Sequence, residues 1–350
     1  MQPLSRLYGA IIKARNSFYE KGVLKSFSLG VPTVSIGNIT VGGTGKTPLV
    51  AWVAGFLAER GERVCVLTRG YGRQNPKERI VVSDGERILS DPTRSGDEPV
   101  ELARKLFGKA LVIADADRVG AGNWARNRFG VTAFVLDDAF QHLRVKRDLD
   151  IVVIDATDPF GNDRLLPNGT LRESPENLGR AGLIVITRTN LSDRTEELKE
   201  RISGYNPNCP ILRAENKTAR LIKLEDFQIE AESANNPKSK IQNPKSKSLA
   251  FCALGNPENF FEQLRREKIP LAATEKFPDH HFYRPKDIAR LEMKAAATGA
   301  ENMLTTAKDA VKLKDLKFDL PCYVLEIGLA FDDEKKLRRI ISDAVLKKNG

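Results

Sequence analysis

A glycine-rich loop that ends in Gly-Lys-Thr constrains the chemistry of this 350-residue chain more tightly than any other segment. Residues 35–48 read SIGNITVGGTGKTP. Backbone N–H groups of such a loop can point at phosphate oxygens, Lys46 can reach the terminal phosphates, and Thr47 can place its hydroxyl on Mg²⁺. The residues that we expect to contact the nucleotide are Gly42, Gly43, Thr44, Gly45, Lys46 and Thr47.

The segments on either side of this loop fit a P-loop. Residues 31–36 are apolar and predict a short buried strand, and residues 49–60 predict a helix that ends at Gly61. Thr40 stands where the strict pattern has glycine. An ordinary glycine-rich turn is the alternative, but Gly-Lys-Thr rarely arises by chance between a strand and a helix.

A pair of carboxylates, Asp137 and Asp138, follows another apolar segment at residues 131–136. Hard oxygen ligands suit Mg²⁺, and the carboxyl end of a strand in the same parallel sheet faces the phosphates. The pair therefore predicts a Walker-B-like metal site, with two solvated acids at the start of a loop as the alternative.

Asp97, in the string SGDEP, is a candidate general base. A kinase that phosphorylates a hydroxyl needs a group that accepts the proton, although Asp97 could instead cap the helix that follows it. The three histidines, His142, His280 and His281, lie in the loop-like motifs DDAFQH and FPDHH. A role at an interdomain active site and a structural hydrogen bond both remain open for them.

Arginines follow three of the predicted strands, at Arg69 in TRGYGR, at Arg118 and at Arg172. Several arginines near one sheet edge predict recognition of a phosphate group beyond those of the nucleotide. A surface salt bridge is the alternative for any one of them.

The apolar segments alternate with helical ones, which predicts an α/β fold with a P-loop NTPase-like, mostly parallel sheet flanked by helices. Further strands are expected at 63–68, 110–114, 151–154 and 183–187. We place a P-loop kinase domain at 31–206, an extended connection at 207–232, a disordered lysine-rich insertion at 233–248 and a smaller α/β domain at 249–350.

Residues 1–30 predict a basic amphipathic helix. Such a helix can lie in the headgroup region of an anionic membrane or pack on the core, and the pattern favours neither. The net charge of +10 suits a membrane surface, a phosphorylated substrate or nucleic acid. We do not expect a nucleic-acid partner, because no recognition motif is present. No signal-peptide pattern or membrane-spanning run is seen, and the four scattered cysteines fit a reducing compartment.

Taken together, the strings GNITVGGTGKTP, TRGYGR, GDEP, DDAFQH, LLPNGTLRE, FPDHH and TTAKD resemble the tetraacyldisaccharide 4'-kinase (lipid A 4'-kinase) family over most of the chain. The resemblance implies transfer of phosphate from ATP, with Mg²⁺, to the 4'-hydroxyl of an acylated glucosamine disaccharide 1-phosphate. It also implies a peripheral enzyme on the cytoplasmic face of the inner membrane.

The same resemblance implies roles for individual residues. Asp97 would be the base, partnered by His280, while Asp137 and Asp138 would serve the metal. Residues near the phosphorylated disaccharide would be Arg69, Tyr71, Arg118, Gln141, His142 and Arg172. Ala139 departs from the glycine that the family usually has there.

Two functions from other classes compete with this interpretation. A P-loop GTPase or metallochaperone-type switch usually carries Asn/Thr-Lys-x-Asp after a late strand, but residues 187–190 read TRTN and lack the lysine and the aspartate. A kinase of small soluble molecules would not need the basic amphipathic N-terminus.

Overall fold

The computed structural model describes residues 2–230 and 246–346. The α-helices are α1 (Gln2–Glu20), α2 (Lys46–Glu59), α3 (Pro92–Ser95), α4 (Asp97–Lys105), α5 (Arg118–Phe129), α6 (Thr195–Tyr205), α7 (Leu224–Glu230), α8 (Pro257–Arg266), α9 (Pro285–Thr298), α10 (Ala307–Ala310) and α11 (Glu334–Leu346). The strands are β1 (Thr33–Gly37), β2 (Val64–Thr68), β3 (Ile80–Ser83), β4 (Ala110–Ala114), β5 (Ala133–Asp137), β6 (Leu149–Asp155), β7 (Leu183–Thr187), β8 (Ile211–Lys223), β9 (Ser248–Cys252), β10 (Leu271–Lys276), β11 (Asn302–Thr306) and β12 (Cys322–Phe331).

These strands form one twelve-stranded sheet in the order β10-β9-β11-β12-β8-β7-β6-β1-β5-β2-β4-β3. Most neighbours are parallel, and antiparallel pairing occurs between β3 and β4 and between β8 and β12. Every residue of β1, β2, β4, β5 and β7 is buried. Strands covered on both faces read as unbroken apolar runs, which is why the sequence reveals them.

Alternate residues of β2 show how the helices cover both faces of the sheet. Val64 and Val66 belong to the apolar cluster that contains the α2 residues Leu49 and Val53. Cys65 and Leu67 belong to a second cluster, with Ala121 and Ala125 of α5. The predicted mostly parallel α/β architecture with flanking helices is therefore confirmed.

The sheet is continuous across the predicted domain boundary near residue 207, which falls between α6 and β8. β8 pairs in parallel with β7 on one side and runs antiparallel to β12 on the other, from Tyr323 opposite Lys223 to Phe331 opposite Ala214. Residues 207–232, expected to be a connection, thus contain an integral strand and α7. The division of the chain into two domains stays a prediction.

The predicted N-terminal helix is present but shorter than residues 1–30, because α1 ends at Glu20 and Gly22 adopts a left-handed conformation (φ 71°). Of the predicted insertion 233–248, residues 233–245 lie outside the described part of the chain. Ser248 was wrongly included in it, since it is buried and begins β9. Within residues 2–230 and 246–346, no helix combines the length and the apolar character needed to cross a membrane.

Candidate active site

A cavity of about 1030 Å³ lies where the loops after β1, β2 and β5 meet the C-terminal segment of the chain. The predicted site residues in its wall are Gly42, Gly43, Thr44, Gly45, Lys46, Thr47, Arg69, Tyr71, Arg118, Asp137, Asp138, Gln141, His142, Arg172 and His280. Asp97 is not part of the wall and lies behind it, 5% exposed, in contact with His280. The structure therefore brings the predicted residues together around one space.

The glycine-rich loop is held so that its backbone turns directly into α2. Gly45 precedes the helix with a left-handed φ of 79°, which favours glycine. The carbonyl oxygen of Thr44 accepts a hydrogen bond from Thr187 Oγ1 at 2.9 Å, and Thr44 Oγ1 accepts one from Asn38 at 3.0 Å. α2 begins at Lys46, three residues earlier than predicted. The N–H groups at the start of a helix can bind an anion, and those of α2 lie at the cavity.

Asp138 is fixed by two cations. Lys46 Nζ lies 3.4 Å from its Oδ1, and Arg172 Nη1 donates to both carboxylate oxygens at 2.7 and 2.8 Å. Burial opposes ionisation of Asp138, but these two charges outweigh it and hold its pKa well below its usual range. Asp138 has a left-handed φ of 48°, so the strained residue in this turn is Asp138 and not Ala139. The alanine therefore occupies a position that needs no glycine.

Asp137 has the opposite electrostatic environment. Its Oδ2 accepts a hydrogen bond from Thr68 Oγ1 at 2.9 Å. Burial, together with the nearby carboxylates of Glu98 and Asp138, raises the pKa of Asp137 to about 7. A buried carboxylate that is destabilised by other carboxylates is a group that a bound dication would relieve.

The donor set at this point fits Mg²⁺ bound together with a nucleotide. No cluster of three or more His, Cys, Asp or Glu side chains suitable for a metal occurs among residues 2–230 and 246–346. Mg²⁺, however, often takes only one or two carboxylates and completes its shell with water and substrate phosphates. Thr47, Asp137 and Asp138 lie in the cavity wall and have side-chain oxygen atoms of the kind that such a site needs.

Two glycines allow the segment just before Asp97 to pack tightly against the loop that carries Tyr71. Gly96 has a φ of 95°, and a Cβ there would lie 2.7 Å from the Tyr71 carbonyl oxygen. A Cβ at Gly70 would lie 2.7 Å from the Ser95 carbonyl oxygen. Gly96 occupies the N-cap position of α4, so the alternative that Asp97 is the N-cap residue is wrong. Asp97 is the first residue of the helix.

His280, from the loop after β10, pairs with Asp97 over a long separation in sequence. Its Nδ1 lies 2.9 and 3.0 Å from the two carboxylate oxygens of Asp97. The hydrogen bond to Asp97 raises the pKa of His280 above its usual value. The Tyr71 ring lies 5.3 Å from the imidazole, on the exposed side of the pair. A buried carboxylate that orients an imidazole in a cavity wall is an arrangement suited to proton transfer.

The wall around His142 is strongly basic. Burial of His142, followed by the charge of Arg118 and of further arginines, lowers its pKa to about 4, so its imidazole is neutral near pH 7. Neither His142 Nε2 nor Arg118 Nε has a hydrogen-bond partner in the described structure. Buried polar atoms without partners that line a cavity suit a polar or anionic ligand. These observations favour a substrate phosphate or hydroxyl at this position.

α1 reaches the same wall through polar contacts. The hydroxyl of Tyr8 donates to the Arg172 carbonyl oxygen at 2.7 Å, and Arg15 donates to the Gln141 carbonyl oxygen. The Gln141 amide donates to Glu173 at 2.7 Å, and Glu173 also accepts from Asn16. Gln141, predicted to bind substrate, is thus anchored to the protein by its side chain. Tyr8, Ile12 and Arg15 themselves line the cavity.

Four apolar residues of α1 do not take part in these contacts and are exposed. Leu4, Leu7 and Ile11 are each 57–58% exposed, and Phe18 is 48% exposed. The sequence pattern did not decide whether the apolar residues of this helix bind a membrane or pack on the core. Because these four residues are exposed, they are not part of the core. We refer to Leu4, Leu7, Ile11 and Phe18 as the apolar stripe.

Sequence reasoning missed two lysines near Asp97, of which Lys308 lines the cavity. Lys308 Nζ lies 3.2 Å from Glu98 Oε1 and 3.2 Å from Asp279 Oδ1, and Lys312 lies 3.5 Å from Asp97 Oδ2. The signal was present in the string TTAKD, which contains Lys308 and precedes Lys312 by a few residues. The position of these lysines near Asp97 depends on pairing between distant strands, which no local pattern reveals.

Comparison with known proteins gives consistent results. Residues 1–346 match the family model described as LpxK, tetraacyldisaccharide-1-P 4'-kinase. Proteins named tetraacyldisaccharide 4'-kinase from Halothermothrix orenii and Geobacter metallireducens are 36% and 38% identical to the chain. The matches cover 97% and 98% of this chain and 90% and 96% of those relatives.

A solved structure resembles the whole chain. The crystal structure of LpxK from Aquifex aeolicus in complex with ATP superposes with a TM-score of 0.76 at 30% identity. The match covers 98% of both chains.

Proposed function

This chain belongs to the tetraacyldisaccharide-1-P 4'-kinase family, and from that premise we propose that it transfers the γ-phosphate of ATP to the 4'-hydroxyl of an acylated glucosamine disaccharide 1-phosphate. One observation carries the proposal beyond family membership. A single cavity joins a P-loop, an Asp-His pair whose carboxylate is buried, a basic wall and a helix with an exposed apolar stripe. A lipid kinase needs each of these parts.

The P-loop and Lys46 bind the nucleotide phosphates. The free N–H groups at the start of α2 and the Lys46 ammonium compensate the negative charge that must be kept close to the acceptor hydroxyl. Lys46 is tied to Asp138 in this structure, and Asp138 is also held by Arg172. Bound phosphates offer Lys46 a stronger partner, so its contact with Asp138 is expected to be exchanged for one with the nucleotide.

Thr47, Asp137 and Asp138 would hold Mg²⁺, which would supply further charge compensation to the phosphates. Asp97 and His280 remove the proton of the acceptor hydroxyl as one unit. The carboxylate is the basic partner by family resemblance, and the imidazole stands between it and the cavity. Arg69, Tyr71, Arg118, His142 and Arg172 form the side of the cavity that receives the phosphorylated sugar.

The apolar stripe supports a peripheral position on an anionic membrane, with the cavity at the membrane surface. Leu7 and Ile11 are exposed, whereas Ile12 and Arg15, on the adjoining face of the same helix, line the cavity. An apolar face flanked by cations suits the boundary between headgroups and acyl chains. ATP as the phosphate donor suggests the cytoplasmic face of the inner membrane.

The test is to incubate the purified protein with ATP, Mg²⁺ and an acylated disaccharide 1-phosphate, and to locate the new phosphate by NMR or fragmentation mass spectrometry. We expect a 4'-phosphate. Hydrolysis of ATP without lipid product, or equal transfer to an unacylated soluble sugar, would refute the lipid kinase assignment.

Lys46→Ala and Asp138→Ala should each lower kcat at least about a hundredfold with the fold retained, because both change charge compensation at the phosphates. Asp163→Ala is the matched control, since it removes an exposed carboxylate that pairs with Arg201 outside the cavity. Initial rates and circular dichroism check the prediction. Near-normal turnover in a folded Lys46→Ala protein would show that the nucleotide site is wrongly placed.

A further inference from the structure

Lys312 is a buried cation behind the cavity wall. Its side chain is 1% exposed, and its Nζ lies 3.5 Å from Asp97 Oδ2 and 3.1 Å from Asp309 Oδ1. The ammonium meets these carboxylates as an ion pair and not through well-aligned hydrogen bonds. A lysine is seldom buried so completely unless its charge is compensated. Here two carboxylates from different parts of the chain provide that compensation.

Asp309 is fixed by three hydrogen bonds in addition to its contact with Lys312. Its Oδ2 accepts hydrogen bonds from the Ala253 N–H at 3.1 Å and from Thr306 Oγ1 at 2.7 Å, and its Oδ1 accepts one from the Tyr283 hydroxyl at 3.1 Å. Asp309 is fully buried. The carboxylate therefore has little freedom to move, and it anchors the ammonium that faces Asp97.

We infer that Lys312 is a positioning residue for the proton-accepting pair, anchored by Asp309 and holding the Asp97 carboxylate ionised and oriented toward His280. The inference rests on the proposed function in one respect, namely that Asp97 and His280 take the proton of the acceptor hydroxyl. It adds that the base is completed by a third charged group, which comes from the C-terminal segment and never touches the substrate.

The charged groups around Asp97 come from three parts of the fold. Their arrangement explains why the ammonium of Lys312 affects the Asp97 carboxylate. They are Glu98 and Glu101 from α4, His280 from the loop after β10, and Lys308 and Lys312 from α10 and the turn after it. Burial opposes ionisation of Asp97, but the hydrogen bond from His280 and the charges of Lys308 and Lys312 lower its pKa to about 2. Lys308 divides its contacts between Glu98 and Asp279. Lys312 is the buried lysine with a direct contact to the Asp97 carboxylate.

The experiment compares two variants. Both lack the carboxylate at position 309, and they differ in whether the ammonium of Lys312 is present. Asp309→Asn retains the ammonium beside Asp97. The double variant Asp309→Asn/Lys312→Met removes the ammonium and leaves no uncompensated charge at position 309, so it avoids the simplest cause of misfolding. Lys294→Met is a control, because Lys294 pairs with Glu275 outside the cavity wall. Thermal melts establish that each protein is folded.

The decisive measurement is the titration of His280 followed by NMR of the imidazole ring. The chain has three histidines, so its few ring signals can be assigned with a His280→Gln variant. Loss of a nearby positive charge favours the protonated imidazole, so the pKa of His280 should be higher in the double variant than in Asp309→Asn by about half a pH unit or more. kcat should be lower by about tenfold with ATP affinity unchanged, because the pair is less well held. Lys294→Met should match the wild type in both respects.

Equal His280 titration in Asp309→Asn and the double variant would overturn the inference, even if activity were lost, because it would show a purely structural role for Lys312. If the double variant does not fold, Asp309→Asn decides the question alone. Removal of a negative charge from the network should then lower the pKa of His280 relative to the wild type, and an unchanged pKa would count against coupling. Full activity of Asp97→Asn would instead refute the proposed role of Asp97 and His280 in proton transfer. The titration of His280 would still report whether Lys312 affects the pair.

Discussion

At the residue scale, Asp97 and His280 are expected to act as one unit, because both carboxylate oxygens lie within 3.0 Å of His280 Nδ1. Asp97→Asn and His280→Ala should each lower kcat by about a hundredfold or more. The kcat of the double variant should be little lower than that of the less active single variant. ATP affinity should hardly change, because neither residue belongs to the P-loop. A double-mutant cycle on kcat, with nucleotide binding measured alongside, checks this expectation.

Independent, multiplicative losses in that cycle would show that the two residues have separate roles. A mild effect of Asp97→Asn alone would mean that Asp97 serves only to hold His280 and the start of α4 in place. The hydrogen bond between Asp97 Oδ1 and the Glu98 N–H, at 3.0 Å, would then be its main contribution.

The same pair should make stability depend on pH. The pKa of His280 is raised in the folded state above its usual 6.5, so folding favours the protonated imidazole. This contribution is fully present below about pH 6.5 and is lost as the pH rises through the folded-state pKa. The difference in Tm between wild type and His280→Gln should therefore be larger at about pH 5.5 than at about pH 9. In an Asp97→Asn background most of that pH dependence should disappear, and its persistence would contradict the coupling.

At the element scale, α1 combines a polar face that docks on the protein with an exposed apolar stripe. Replacement of Leu4, Leu7 and Ile11 together by serine should weaken binding to anionic vesicles, by roughly 1 kcal/mol or more for each side chain, without unfolding the protein. Ile12 is left unchanged because it lines the cavity. Sedimentation with vesicles of phosphatidylglycerol and phosphatidylcholine, together with ATP binding, gives the readout.

Tyr8→Phe is the matched variant on the face of α1 that contacts the rest of the protein. It removes the hydrogen bond to the Arg172 carbonyl oxygen but no apolar surface, so vesicle binding should be kept while kcat falls. If the serine variant still sediments as the wild type does, the stripe does not bind membranes. Loss of vesicle binding in Tyr8→Phe would instead show that docking of α1, and not its stripe, controls association.

At the scale of the whole molecule, the two halves of the chain share one sheet and one core. The largest apolar cluster contains Val34 and Leu49 from the first half and Leu249 and Val345 from the second. We therefore expect a single cooperative thermal transition, with equal calorimetric and van't Hoff enthalpies. Two resolved transitions would support the sequence-based division near residue 207 as a boundary between independently folding domains. Differential scanning calorimetry distinguishes the two outcomes.

Local patterns were sufficient for the parallel part of the sheet and for the strand, glycine-rich loop and helix around residues 33–59. Apolar runs marked β1, β2, β4, β5 and β7 because both faces of these strands are covered, and the P-loop spacing placed Lys46 and Thr47. The role of β8 was missed because its burial alternates irregularly and its partner β12 lies about a hundred residues further along the chain. The same long-range pairing brings Lys308 and Lys312 to Asp97, so their contacts could not be predicted from spacing.

The placement of α1 also has a kinetic consequence. One helix supplies both the apolar stripe and part of the cavity wall, so a molecule docked on a bilayer as proposed would hold its catalytic opening at the surface where the substrate diffuses laterally. Encounters would then occur in two dimensions. Turnover would follow the mole fraction of the substrate among the surrounding lipids, and added inert lipid would slow the enzyme by surface dilution even while the total substrate concentration stays constant.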